Sequence, residues 1–210
     1  MEYELILLAA GFSRRFGANK LLYPLEGTPM VRRASELLLE LRDRRKDIGT
    51  IAAVTRYPEV EEIFRQQGLR AVFNPCSRRG LSSSLRAGLR AVLEEKREGR
   101  PGEKAFCFFM GDQPYLKADT VSKLLDQYPF SGKGIARLCW KGRPGHPAVF
   151  AERYLPELLA LTGDQGGRRI IQRHPEDVWE MEAEDGRELL DVDRPWNVCG
   201  TEIPQEQERE

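Results

Sequence analysis

The chain begins with the stretch Tyr3-Glu4-Leu5-Ile6-Leu7-Leu8-Ala9-Ala10-Gly11-Phe12-Ser13-Arg14-Arg15-Phe16-Gly17-Ala18-Asn19-Lys20-Leu21-Leu22. The apolar run from Tyr3 to Leu8 predicts a buried β-strand, and a glycine-punctuated loop follows it. Gly11 and Gly17 can adopt backbone conformations closed to other residues, so this loop can approach a polyphosphate closely. Arg15 and Lys20 can neutralise the charge of that polyphosphate. We therefore predict a binding site for a nucleoside triphosphate.

Two common phosphate-binding patterns do not describe this loop. Gly17 lies one position too far from Gly11 for a Walker A motif, and no Lys-Ser or Lys-Thr pair follows Gly17. The spacing also differs from the Gly-x-Gly-x-x-Gly fingerprint of dinucleotide-binding domains. A tight strand-to-helix turn without a ligand is the alternative, but Ser13, Arg15 and Lys20 in the same loop favour a nucleotide site.

The order of residues in this loop resembles a known enzyme family. Leu8-Ala9-Ala10-Gly11, followed by Ser13, Arg15, Gly17 and Lys20-Leu21-Leu22, is similar to the start of the molybdenum cofactor nucleotidyltransferases, most closely to the cytidylyltransferase branch. The guanylyltransferase branch usually reads Leu-Ala-Gly-Gly at the first four positions. The resemblance extends from Leu5 to about Pro195. It implies an α/β, Rossmann-like three-layer nucleotidyltransferase fold with a mostly parallel mixed sheet.

Length and composition limit the class of protein. The 210 residues suffice for one sizeable core, which we place in a single domain at residues 1–200, with a polar tail at 201–210 that we expect to be disordered. Lys+Arg 33 and Asp+Glu 33 balance, which argues against nucleic acid or an anionic membrane as partner. The apolar run of Leu5 to Ala10 is too short for a signal peptide or membrane span, so we expect a cytoplasmic protein. The cysteines are scattered without a Cys-x-x-Cys pair, which argues against a zinc site or disulfide framework: Cys76, Cys107, Cys139 and Cys199.

Helical and strand patterns alternate along the chain. We predict helices at Met30–Arg42, Val60–Gln67, Ser82–Glu95, Thr120–Gln127, Arg153–Leu161 and Gly166–His174. We predict further strands at Thr50–Val54, Leu69–Phe73, Ala105–Met110, Gly134–Trp140, His146–Phe150, Val178–Ala183 and Glu188–Val192. The turn-rich segment Lys141 to Gly145 joins two of these strands as a hairpin. This pattern is typical of a largely parallel sheet covered by helices on both faces.

A carboxylate follows the most apolar strand, in the segment Gly111-Asp112-Gln113-Pro114. Asp112 therefore lies at the carboxyl edge of the sheet, where open α/β sheets bind ligands. Mg²⁺ usually takes one or two protein carboxylates and completes its octahedron with phosphate and water. Asp112 could instead cap the next helix or turn. The similarity of this segment to the metal motif of the family implies that Asp112 binds Mg²⁺.

A second pair of carboxylates, Asp191 and Asp193, lies at i and i+2 on one face of a predicted strand. The segment resembles the late Asp-Ile/Val-Asp-Thr-Pro motif of the family. It implies Asp193 as the second metal ligand, with Asp191 as the next candidate. Arg194 stands where threonine is usual, which puts any hydroxyl role there in doubt. A solvated acidic strand end is the alternative.

A loop rich in hydroxyls opens the helix predicted to begin at Ser82. Serine caps are common without a ligand, although a helix N-terminus offers backbone N–H groups to ribose or phosphate. The similarity of this loop to the cytidine side of the family's site favours nucleotide binding and, with Ala10, implies CTP rather than GTP. The predicted nucleotide-binding residues are Ala9, Ala10, Gly11, Ser13, Lys20, Gly80, Ser82, Ser83 and Ser84.

Two further similarities lie on the predicted acceptor side of the site. His146 precedes a strand and could hydrogen-bond the pterin or its phosphate, although a lone histidine there is as often structural. Asp164 and Arg168 belong to Gly163-Asp164-Gln165-Gly166-Gly167-Arg168, which reads equally well as a capped helix start. Gly167 replaces the alanine that is usual in the family. The resemblance implies that His146, Asp164 and Arg168 contact the acceptor.

The resemblance implies transfer of CMP from CTP to molybdopterin-bound molybdenum cofactor, with release of pyrophosphate. Arg15, Lys20 and Asp112 would be the catalytic residues and Mg²⁺ the cofactor. A molybdenum hydroxylase apoenzyme or its chaperone is the expected protein partner. Three alternatives remain open: a GTP-dependent guanylyltransferase, a sugar-phosphate nucleotidyltransferase, and a non-catalytic accessory protein that holds the cofactor for a molybdenum hydroxylase. The segments at His146 and at Asp191 to Pro195 argue against the sugar-phosphate enzyme.

Overall fold

A computed structural model describes residues 1–13, 16–95 and 103–193 of the chain. Its α-helices are α1 (Met30–Arg44), α2 (Pro58–Gln66), α3 (Leu81–Glu94), α4 (Ala118–Gln127), α5 (Leu155–Ala160) and α6 (Arg168–Arg173). Its strands are β1 (Glu2–Ala9), β2 (Pro24–Leu25), β3 (Thr28–Pro29), β4 (Ile48–Thr55), β5 (Arg70–Phe73), β6 (Lys104–Met110), β7 (Ile135–Trp140), β8 (Arg143–Ala151) and β9 (Val178–Glu182). The predicted α/β class with a mostly parallel mixed sheet is confirmed.

The main sheet has seven strands in the order β5-β4-β1-β6-β8-β7-β9. Strands β5, β4, β1 and β6 run parallel, and β8 alone is antiparallel to its two neighbours. The chain leaves β1 for β4 on one side and later returns from β5 to β6 on the other. The strand order therefore reverses between β1 and β6, and ligands of open α/β sheets bind at the carboxyl ends of strands at such a point.

Alternating side chains of β1 pack into two different helical layers. Leu5 and Leu7 belong to the core that includes side chains of α1, α2 and α4. Ile6 and Leu8 belong to the core that includes side chains of α3, α5 and α6. Because successive residues of a strand face opposite sides of a sheet, a strand buried on both sides reads as one continuous apolar run. The result is three layers, helix on sheet on helix.

The hairpin between β7 and β8 is tighter than the sequence predicts. Strand β8 begins at Arg143, which pairs with Trp140, so the connection consists only of Lys141 and Gly142. Both have positive φ, 48° and 75°, as the two-residue turn of a hairpin requires. The prediction of a five-residue turn through Gly145 is therefore wrong. Pro144 lies inside β8. A proline is tolerated in a strand where its missing N–H costs no ladder hydrogen bond.

The predicted strand at Glu188–Val192 is also wrong. Residues Gly186–Leu189 form a short 3-10 helix, whose start is capped by the Asp185 carboxylate accepting from the Arg187 N–H at 2.9 Å. The Glu188 side chain is buried and accepts from the Lys117 N–H, which removes the strand alternation. Asp191 and Asp193 therefore do not share the face of a strand.

No helix within the described ranges is long and apolar enough to cross a membrane. Arg15, Arg194 and the tail at 201–210, all named in the sequence predictions, lie outside the described residues.

Candidate active site

A cavity of about 850 Å³ opens at the carboxyl ends of β1 and β6. The loop after β1 contributes one wall, and Asp112, in the segment after β6, contributes another, as the reversal of strand order predicts. The loop after β5 and the loop before α6 also line the cavity. Its lining residues are Gly11, Phe12, Ser13, Lys20, Arg78, Gly80, Asp112, Asp164 and Asp193. Seven of these nine are residues that the sequence predicted for the site, and Phe12 and Arg78 are additions.

Hydrogen bonds hold the loop after β1 in place. The Thr55 hydroxyl donates to the Ala9 carbonyl at 3.0 Å, and the Tyr57 hydroxyl donates to the Gly11 carbonyl at 2.8 Å. Further along, the Ser13 hydroxyl accepts from the Lys20 N–H at 3.3 Å. These bonds position the backbone of residues 9–13 and the start of the short helix Lys20–Leu22. The side chain of Ala10 is buried beside them.

The Lys20 ammonium lies between two carboxylates. Its Nζ is 2.7 Å from Asp112 Oδ2 and 2.8 Å from Asp193 Oδ1. Lys20 is buried, with 8% of the residue exposed. Burial alone would lower the pKa of Lys20, but the charges of Asp112 and Asp193 and their hydrogen bonds raise it above its ordinary value. Lys20 is therefore a fixed positive charge at the wall of the cavity.

The end of the described chain is hydrogen-bonded to Asp112, two residues after β6. The Val192 N–H donates to the Asp112 carbonyl at 3.0 Å, and Val192 packs in a small core with Leu25 and Met30. This contact, rather than strand pairing, brings Asp193 to Asp112. The side chain of Asp193 is about half exposed, at 45%.

Asp191 lies beside the same group of charges. Its Oδ1 accepts from Gln113 Nε2 at 2.8 Å. Asp191 as a residue is exposed. Its carboxyl group is nevertheless desolvated, and this desolvation, together with the charges of Asp112 and Asp193, raises the pKa of Asp191 to about 6. Of the two late carboxylates, Asp193 lines the cavity and Asp191 does not; Asp193 is the one that the family resemblance implies as a metal ligand.

The three serines at the start of α3 do not line the cavity. The hydroxyls of Ser83 and Ser84 accept from Asn74 Nδ2 at 3.0 Å each, and the Ser82 hydroxyl is buried with no hydrogen-bond partner among the described residues. Gly80, the remaining predicted member of this loop, does line the cavity. Direct nucleotide contacts by Ser82, Ser83 and Ser84 therefore remain predictions.

The predicted acceptor residues fall into two places. Asp164 lines the large cavity, whereas His146 and Arg168 line an adjacent apolar cavity of about 400 Å³. The two cavities are adjacent, because Gly80 lines the first and the next residue in the chain, Leu81, lines the second. The walls of the second are mainly apolar and include Leu85, Phe108, Met110 and Phe150.

His146 is a polar residue of the apolar cavity, together with Arg137 and Arg168. Its Nδ1 is buried without a hydrogen-bond partner among the described residues. Burial lowers the pKa of His146, although the charge of Asp112 and a backbone hydrogen bond with Phe108 act in the opposite direction. The ring is therefore neutral at pH 7, and it lies within electrostatic range of Asp112.

Sequence reasoning missed two arginines. Arg78 lies in the short helix Ser77–Arg79 after β5, lines the large cavity and has no ion pair among the described residues. Arg137 of β7 lines the apolar cavity, where its guanidinium pairs with Glu180 at 2.7 Å. A basic residue in a loop at the carboxyl edge, and an arginine within an apolar strand, were the available signals.

The described residues contain no group of three or more His, Cys, Asp or Glu side chains arranged to hold a metal ion. The two carboxylates that meet at Lys20 nevertheless match the modest protein ligand set of Mg²⁺. One oxygen of the pair, Asp112 Oδ1, is buried and has no hydrogen-bond partner within the described ranges. That oxygen is available to coordinate a cation.

Comparison with known proteins identifies the family of the chain. The MobA-like NTP transferase domain family matches residues 5–178. The purine catabolism protein PucB of Bacillus subtilis is 28% identical over 202 residues, which cover 90% of this chain and 91% of PucB.

Solved structures share the fold. Rv0371c from Mycobacterium tuberculosis superposes with a TM-score of 0.75 at 24% identity, covering 95% of this chain and 96% of Rv0371c. Its complex with manganese has a TM-score of 0.70 at 20% identity, with the same coverage of both chains. A nucleotidyl transferase from Methanothermobacter has a TM-score of 0.74 at 23% identity, covering 94% of each chain. With most of its length matched by the family model, the chain belongs to the MobA-like NTP transferase domain family and is a nucleotidyltransferase of that type.

Proposed function

We propose that the chain transfers CMP from CTP to molybdopterin-bound molybdenum cofactor and releases pyrophosphate. One observation carries the proposal: a buried ammonium, Lys20, meets the carboxylates of Asp112 and Asp193 at the wall of a cavity of about 850 Å³. Phosphoryl and nucleotidyl transfer need little from a protein besides positioning and charge neutralisation. This wall offers both, at the point where open α/β sheets bind nucleotides.

The triphosphate would lie along the loop of Gly11 to Ser13. Lys20 would neutralise charge on the transferring and leaving phosphates, and Arg78 reaches the same cavity from the opposite loop. The family resemblance supports a cytosine base, because Ala10 stands where the guanylyltransferase branch usually has glycine. The similarity of the Gly80 to Ser84 loop to the cytidine side of the family supports the same choice.

The acceptor would occupy the apolar cavity. A volume of about 400 Å³ lies in the range of small-molecule sites, and its apolar walls suit the faces of a planar ring system. Arg168 and Arg137 could pair with an anionic group of the acceptor, and neutral His146 could hydrogen-bond the ring. Asp164 would contact the acceptor where the two cavities meet.

The residues present fit a divalent cation, as one buried Asp112 oxygen has no other partner and carboxylates are preferred ligands of hard cations. Asp112 and Asp193 would hold it. Such a cation supplies charge stabilisation to phosphate oxygens as a Lewis acid. The manganese complex of Rv0371c supports a divalent metal in this fold. We propose Mg²⁺ for this chain.

The reaction needs no protein nucleophile. A phosphate oxygen of the acceptor would form a bond to the α-phosphorus of CTP, while the bond from that phosphorus to the bridging oxygen of the β-phosphate breaks. Pyrophosphate takes the electron pair of the broken bond. Lys20 would stabilise the negative charge that develops on these oxygens, and the site would act by holding both substrates in line.

A second candidate is the accessory role, in which the chain holds molybdenum cofactor for a molybdenum hydroxylase without using CTP. The similarity to PucB, whose name refers to purine catabolism, is the observation behind this candidate. In either case the proposed protein partner is a molybdenum hydroxylase apoenzyme or its chaperone.

The test measures pyrophosphate release with Mg²⁺ and molybdenum-loaded molybdopterin, from CTP and separately from GTP. Asp112→Asn should lose most of the activity. The matched control is Asp119→Asn, because Asp119 is an exposed carboxylate on α4 that pairs with Arg44. CTP-specific release that only Asp112→Asn abolishes supports the proposal. Preference for GTP identifies the guanylyltransferase alternative, and cofactor binding without release from either nucleotide supports the accessory role.

A further inference from the structure

The Lys20 ammonium occupies the position where the two proposed metal ligands meet. It is hydrogen-bonded to Asp112 Oδ2 at 2.7 Å and to Asp193 Oδ1 at 2.8 Å. A cation held by both carboxylates would have to lie within a few ångströms of this ammonium. Lys20 and a divalent cation would therefore compete for the same two carboxylates.

The surroundings make this competition strong. Lys20 is 8% exposed and the Asp112 side chain 17% exposed, so solvent screens their charges poorly. The single ammonium neutralises half of the formal charge of the two carboxylates. Adding a doubly charged cation next to that ammonium would bring like charges together in a medium of low dielectric.

The backbone of Lys20 is held by a hydrogen bond, and its side chain borders the proposed site of the triphosphate. Ser13 accepts the Lys20 N–H, and the Asn19 carboxamide accepts the Leu21 N–H to cap the short helix at Lys20–Leu22. Ser13 and Lys20 line the same cavity, which is the proposed site of the triphosphate. A rotation of the side chain alone would carry the ammonium from the carboxylates to a phosphate.

We propose that Lys20 blocks the metal site until nucleotide is bound, so that the divalent cation binds tightly only together with the triphosphate that accepts the ammonium. This inference rests on the proposed function, from which it takes the metal site. It adds an order of assembly: nucleotide and cation bind as one unit, and the cation alone binds weakly. The device would keep stray divalent cations out of the site between turnovers.

The test is the affinity of the nucleotide-free protein for Mn²⁺, read from the electron paramagnetic resonance signal of the free ion. Lys20→Met removes the competing charge and keeps a side chain of similar length. We expect it to bind Mn²⁺ at least about tenfold more tightly than the native chain, within the usual range of coupling between sites. Lys123→Met is the control, because Lys123 also pairs with a carboxylate, Glu184 at 3.0 Å, but on the surface. It should leave Mn²⁺ affinity unchanged.

A double variant, Lys20→Met with Asp112→Asn, tests the blocking role of Lys20 separately from the assignment of Asp112 as a metal ligand. Tighter Mn²⁺ binding in Lys20→Met that is lost in the double variant supports the proposal. If Lys20→Met binds Mn²⁺ no more tightly than the native chain, the blocking role is refuted, while the proposed function is judged by its own assay. If the double variant keeps the tight binding, the cation does not bind at Asp112, and both the blocking role and the assigned metal site are refuted.

Lys20→Gln provides a second variant in case Lys20→Met folds poorly. The thermal unfolding midpoint of either variant gives an independent readout, since a ligand that binds only the native state raises that midpoint. Mn²⁺ should raise it more in the variant than in the native chain. An equal rise in both would contradict the proposal.

Discussion

Gly80 packs against Gly163 so closely that a methyl group on Gly80 would lie 2.2 Å from the Gly163 carbonyl carbon. Gly80 also has φ 95° and ψ 177°, a conformation open essentially only to glycine. The Ser82 N–H donates to the Gly163 carbonyl at 3.1 Å, which joins the start of α3 to the segment that carries Asp164. Two loops that line the large cavity are therefore held against each other by this glycine contact.

Gly80→Ala should separate these loops. We expect a loss of about 1–3 kcal/mol in the free energy of unfolding, from overpacking and backbone strain, and a marked fall in kcat/KM. Urea unfolding and pyrophosphate release measure the two effects. Gly132→Ala is the control, because Gly132 has φ 67° but open space around its Cα. That variant should lose only about 1 kcal/mol and keep full activity. Native activity in Gly80→Ala would show that the contact does not position the site.

Arg78→Ala should weaken nucleotide use. Hydrogen bonds to charged groups contribute about 1.5–3 kcal/mol, so we expect a loss of about tenfold to a hundredfold in kcat/KM for CTP. The neighbouring residue offers a matched control, since Arg79 is also exposed but does not line the cavity. Equal losses in Arg78→Ala and Arg79→Ala would indicate general attraction of the nucleotide instead of a specific phosphate contact.

Arg168→Ala should affect the acceptor and spare the nucleotide. Arg168 is exposed, lines the apolar cavity and has no ion pair among the described residues, so its removal should leave the fold intact. We expect KM for the acceptor to rise about tenfold or more while KM for CTP stays unchanged. Steady-state kinetics with each substrate varied in turn measure the KM for the acceptor and the KM for CTP separately. Arg169→Ala, which changes the adjacent exposed arginine, should behave like the native chain.

Asp177 should give the protein part of its acid sensitivity. Burial alone would raise the pKa of Asp177, but hydrogen bonds from Arg153, Tyr154 and the Gly134 N–H lower it to about 2. A carboxylate whose pKa is lower in the folded state stabilises that state above its unfolded pKa of about 3.8, and this contribution is lost as pH falls towards 2. The shift corresponds to about 2 kcal/mol.

Asp177→Asn should therefore be less stable than the native chain at pH 7, and the difference in unfolding free energy should shrink as the pH falls below about 4. Urea unfolding over this pH range measures it. The exposed carboxylate variant Asp119→Asn should show no such dependence. A difference that stays constant down to pH 3 would mean that the Asp177 carboxylate is not stabilised in the folded state.

Much of the fold is encoded in local patterns. The unbroken apolar run of β1 reflects burial on both faces, and its two cores confirm that interpretation. The same locality explains why Asp112 was found: a carboxylate directly after a buried strand must lie at the edge of the sheet. Where the pattern was ambiguous, at Glu188–Val192, the prediction failed. Burial of the Glu188 side chain is a tertiary contact that no local period reveals.

By itself, the sequence determined the α/β class, the loop after β1 and the position of Asp112 at the edge of the sheet, because each follows from neighbours in the chain. Only the tertiary structure decided which late carboxylate reaches that site, through the bond from the Val192 N–H to the Asp112 carbonyl. It also decided that Arg78 faces the cavity and that His146 and Arg168 share a separate apolar one. These are contacts between residues far apart in sequence, and their geometry depends on how the layers pack rather than on any local pattern.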